Sequence, residues 1–132
     1  MMVRATAIVL VLAGPALAGE GRALQLSIVN RTPDLLECEA LAAHWFNLPL
    51  GTRAAGGVFT LDMAFDPATG TLTMAGPTGE AMAIEVVFCG AAGRAWETAH
   101  QLPLRRLAAA ALAGGGRLAV SCRQDGLRPV CD

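Results

Sequence analysis

The sequence predicts a mainly β fold: a small antiparallel sandwich-like domain with one or two short helices. Three observations point there. Residues 58–65, 71–74 and 81–89 alternate apolar and polar side chains, the period of a strand with one buried face. Turn chemistry at Asp66-Pro67 to Gly70 and at Pro77 to Gly79 separates these runs and joins them into a meander. Four cysteines follow an export-type leader, the composition of a small domain stapled by disulfides.

Residues 1–18 are that leader. Arg4 supplies a positive start, residues 5–13 are apolar except for Thr6, and Gly14-Pro15 breaks the run before Ala16-Leu17-Ala18. This is the pattern of a secretory signal cleaved after Ala18. The apolar run falls short of the roughly 20 residues that a spanning helix needs. The expected mature chain, residues 19–132, is one domain without stable membrane insertion. Losing Arg4 leaves nine arginines against eleven acids, since lysine is absent. That balance offers no basic field for nucleic acid or an anionic membrane.

Residues 23–29 alternate and read as the opening strand, stopped by Asn30 to Pro33. The next segment is ambiguous. Thr32-Pro33 suits a helix start, and Leu35, Cys38, Leu41 and Trp45 share a helical face, so an α+β arrangement with residues 34–46 helical is the alternative. The strand–turn–strand units around it favour a strand. Alternation then sends Cys38, Ala40, Ala42 and His44 inward and places Glu37, Glu39, Leu41 and Trp45 on the other, wetter face. Phe59, Leu61, Met63 and Phe65 share one face of the following strand, and Met82, Ile84, Val86 and Phe88 one face of the third strand of the meander. Residues 91–98 read as a helical turn or loop. Residues 102–112, Ala-rich between Pro103 and Gly114, read as a short helix, and residues 118–122 as a last strand before a stapled tail.

Four cysteines allow three pairings. The turn dipeptide Asp125-Gly126 lies between Cys122 and Cys131 and favours a local bridge, leaving Cys38 and Cys89 to join distant segments. No two cysteines show the close spacing of zinc or redox motifs.

The expected function is that of a non-catalytic binding or accessory module, periplasmic or secreted, without a cofactor, whose partner is an envelope protein. Trp45, Glu37, Glu39 and Leu41 form its expected contact face, because an indole among polar neighbours has the composition of an interaction surface. A second reading is a periplasmic copper-handling protein using His44, His100 and the thioethers of Met63, Met74 and Met82. A third is a small hydrolase with an unrecognised site. Against it, Ser27 and Ser121 lie in strands without a nucleophile elbow. Glu85 reads as an outward residue, and the runs Gly56-Gly57 and Gly114 to Gly116 read as turns rather than phosphate loops.

Overall fold

The computed structural model describes residues 21–132; the expected secretory segment 1–18 lies outside the described residues. The chain runs β1 (Arg22–Asn30), β2 (Leu36–Ala42), a tight turn (Ala43–Trp45), β3 (Phe46–Arg53), β4 (Val58–Asp66), β5 (Thr71–Ala75) and β6 (Ala81–Ala91). It continues through α1 (Ala95–Thr98), β7 (His100–Gln101), α2 (Leu104–Ala113), β8 (Arg117–Asp125) and β9 (Arg128–Cys131). The fold is mainly β with two helices, one of them a single turn.

Residues 36–42 are extended, so the helical alternative for residues 34–46 does not hold. Every second residue of β2, from Leu36 through Cys38 and Ala40 to Ala42, is buried, which is the strand period. Pairing on both edges, with β3 and with β6, overrides the local helix signals. The meander β4–β5–β6 forms with the expected turns. In β6, however, Leu41 faces Val86 and Ala42 faces Ile84, so Glu85 is an extra residue, a β-bulge. The bulge reverses the phase of the strand. Val87 and Cys89 therefore face the core with Ile84, where simple alternation would have turned in Val86 and Phe88.

Among the described residues, nine strands form one sheet in the order β3-β2-β6-β5-β4-β1-β8-β9, with β7 added to β6. The sheet coils upon itself. In a flat sheet β3 and β4 would lie four spacings apart, about 19 Å, yet only residues 54–57 connect them. Asn30 at the end of β1 closes this side: its side-chain amide donates to the Arg53 carbonyl at 2.9 Å and to the Asp34 carbonyl at 2.8 Å. Its side-chain oxygen accepts from the Thr32 backbone N–H and hydroxyl, so a fully buried amide is satisfied on every side. On the other side the Cys131 N–H donates to His100 Nδ1 at 3.0 Å, bringing the outermost strand β9 against β7. The opposed layers expected of a sandwich are thus parts of one continuous sheet.

The core fills the inside of this coil, with Leu26, Ile28, Phe59 and Leu36 among its largest members. The apolar face of α2, Leu104, Leu107, Ala108 and Ala111, packs on β1 and β8. That helix ends in a Schellman motif, with the Gly116 N–H donating to the Ala111 carbonyl and the Gly115 N–H to that of Leu112. Both disulfides join directly opposed residues of neighbouring strands, Cys38–Cys89 between β2 and β6 and Cys122–Cys131 between β8 and β9. This is the pairing the sequence favours. The expected final strand, 118–122, extends to Asp125, and the tail beyond it is itself a strand, so the two form a hairpin.

Candidate functional site

β2 and β3 meet in the turn Ala43–Trp45, and this turn is costly. His44 has φ 66° and ψ 27°, and Trp45 has φ 65°. Ala42 pairs with Phe46, so a three-residue loop joins the strands, and two of its residues are left-handed, a conformation that Gly, Asn and Asp adopt most readily. A non-glycine residue in this region costs roughly 1–2 kcal/mol, because Cβ crowds the following carbonyl oxygen. The exposed positions are costly as well. The Trp45 side chain is 90% exposed, and Phe46 beside it is 46% exposed. Strain and an exposed indole coincide at one point of the surface, a combination that clusters at sites of function.

His44 is exposed in this turn, contrary to the inward position that simple alternation gives it. The strand ends at Ala42, so the alternation stops there. Glu37, Glu39 and Leu41 do share the outer face of β2 and are half-buried. Glu37 is engaged, its carboxylate accepting from the Gly93 N–H at 3.3 Å. Trp45 lies beyond the end of that row, so the expected four-residue face resolves into an outer row on β2 and a projecting tip. The tip continues into β3, the free edge of the sheet. Pro49, which lacks an N–H, and a bulge opposite Cys38 and Glu39 blunt that edge.

The second tryptophan is placed differently. Trp96 on α1 is 67% exposed, but its ring lies 4.7 Å from that of Phe88 at 48°, so one face is already covered. At the other end of β2, Leu35 and Leu127 are also exposed and border a groove of about 150 Å³ with Pro129 and Leu36. The sequence pattern assigned Leu35 to the face of a helix that does not form and gave Leu127 no role, although Leu127, directly after Asp125-Gly126, carried the signal of a turn tip.

The histidines of the copper reading lie apart from each other, His100 lies apart from its methionines, and the hydrolase reading gains no centre. The imidazole of His100 is occupied by the Cys131 N–H and pairs beside Cys89, seven residues along β6 from Met82, about 23 Å by strand rise. The sulfurs of Cys89, Cys122 and Cys131 lie within 4.8 Å of one another, but all are held in disulfides. Among the described residues neither Ser27 nor Ser121 has a hydroxyl hydrogen-bonded to a histidine, the arrangement that nucleophilic catalysis needs. Glu85 is exposed, facing a depression of about 410 Å³ that Thr71, Leu104 and Arg105 also line. Glycines 56–57 and 114–116 lie in turns, as expected.

Comparison with protein-family models, with curated proteins and with solved structures finds no match to this chain. Fold and site together define a class: a mainly β domain, closed by two disulfides, that displays an aromatic side chain on a strained turn.

Proposed function

We propose that this chain is an exported, non-catalytic binding module of the bacterial cell envelope, and that it engages a protein partner through the β2–β3 turn. One observation carries the reading: Trp45 is held almost fully exposed in a left-handed conformation that its own side chain disfavours. Tryptophan is enriched among the residues that dominate binding energy, and a strained turn presents it in a fixed, pre-organised position. Phe46 widens the apolar contact, and the outer row of Glu37, Glu39 and Leu41 supplies a polar margin. Two disulfides fit an oxidising compartment. Among the described residues no helix is long and apolar enough to cross a membrane.

The test compares the wild-type chain with Trp45→Ala, each immobilised and exposed to envelope extract. The variant is expected to lose less than about 0.5 kcal/mol of folding stability, as an exposed substitution does. It is also expected to lose at least tenfold in retention of any envelope protein that the wild type captures. In a Trp96→Phe background, the fluorescence of Trp45 should be open to aqueous quencher in the free protein and shielded in the complex. Equal retention by Trp45→Ala would overturn the reading, as would an indole already shielded in the free protein.

A further inference from the structure

The three methionines of residues 19–132 fall in a single row across the sheet. Met74 of β5 pairs directly with Met82 of β6. The β4–β5 ladder ends at the pair Ala64–Thr73, and Met63 and Met74 are the next residue of each strand beyond it, on the same side of the sheet. Side chains at opposed positions have Cβ atoms about 4.5–5.5 Å apart, within easy reach of one another for flexible thioethers. All three belong to the inner face. Met63 is buried, while Met74 and Met82 are half-buried at the rim of the coil, one step before the turn at residues 76–80.

That rim also carries a carboxylate. A Cβ added to Gly76 would come 2.5 Å from Met82 Sδ and 2.5 Å from Glu80 Oε1, so the sulfur and the carboxylate oxygen border the same small space. The Thr78 hydroxyl donates to the Glu80 carboxylate and holds it beside this space.

We propose that Met63, Met74 and Met82, with Glu80 at the rim, form a site for one soft monovalent cation, Cu(I) or Ag(I). Thioether sulfur selects soft ions and binds hard ones poorly. Three neutral sulfurs and a single carboxylate balance one positive charge rather than two. With every described cysteine in a disulfide, no thiolate competes for the ion. The site is independent of the proposal for Trp45 and stands or falls without it.

The experiment uses the full secreted chain with both disulfides intact and Ag(I) in chloride-free buffer. Native mass spectrometry should show one silver ion per chain. All three methionine ε-methyl resonances should shift together and stop shifting at one equivalent. Met74→Leu and Met82→Leu nearly conserve volume and should fold normally; each should weaken silver binding at least tenfold. His44→Gln and His100→Gln should bind as the wild type does. Three results would overturn the site: no binding, silver binding without shifts of the methionine methyls, or binding abolished by a histidine substitution but not by a methionine one. The methyl shifts of the wild-type protein decide the question even if a leucine variant fails to fold.

Discussion

Two hairpins, β2–β3 and β8–β9, solve the same problem in opposite ways. In β8–β9, Asp125 pairs with Arg128, so only Gly126 and Leu127 form the turn. Gly126 takes the left-handed position, φ 62°, where the absence of a Cβ removes the strain. The Cys122–Cys131 disulfide ties the two strands to each other, and His100 holds the backbone of β9. In β2–β3, histidine and tryptophan occupy left-handed positions without a glycine. Its disulfide ties β2 to β6, leaving β3 without a covalent tie at the open edge of the sheet. Both tips present an apolar side chain, Leu127 at 80% and Trp45 at 90% exposure. Exposure alone therefore does not separate them; strain does. A relaxed turn that exposes a leucine requires only a hairpin, whereas a strained turn that exposes an indole calls for a purpose beyond folding.

The largest expected effect concerns the anchors of the two hairpins. Cys38 and Cys89 are 51 residues apart in sequence, Cys122 and Cys131 only nine. Loop-entropy arguments give a loss of about 4 kcal/mol for the double alanine variant of the long bridge and about 2.6 kcal/mol for that of the short one. Urea unfolding of the two variants checks the order. A larger loss from the short bridge would mean that closure of β9 onto β7 governs stability, and the comparison would have to be redrawn around the tail.

A smaller effect, of opposite sign, addresses the strain directly. Replacing His44 with Asn and Trp45 with Gly installs residues that adopt the left-handed conformation at lower cost. The pair should raise stability by about 1–2 kcal/mol, visible as a higher denaturant midpoint. If Trp45 is the anchor, the stabilised protein also loses its partner. A fall in stability would show that the two side chains hold the turn together.

Smallest of the three, Gly126→Ala introduces into the relaxed hairpin the strain that β2–β3 already carries, and should cost about 1 kcal/mol in thermal or chemical unfolding. An unchanged melting temperature would erase the contrast between the two turns.

Much of this molecule is legible along the chain. The alternation of β1, β4 and β5, the turns of the meander, the Ala-rich helix ending at Gly114, and the pairing of Cys122 with Cys131 across Asp125-Gly126 all follow from local pattern. The strand β3 does not. Pro49, Gly51 and its mostly exposed side chains give it no periodic signal, and it is a strand because β2 supplies a hydrogen-bonded partner. Trp45 was legible as a candidate, but its strained backbone was not, because nothing in the dipeptide His44-Trp45 marks a left-handed turn.

By itself, then, the sequence determined the β class, the meander and the local pairing of Cys122 with Cys131, all of which rest on periodicity and short-range turn chemistry. Tertiary structure alone decided the rest. The bulge at Glu85 turns Cys89 toward Cys38, β1 lies parallel to β8, and Asn30 and His100 close the two sides of the coil. The physical reason is common to these cases: each is a contact between residues distant in sequence, and its partner is set by register and burial rather than by neighbours along the chain.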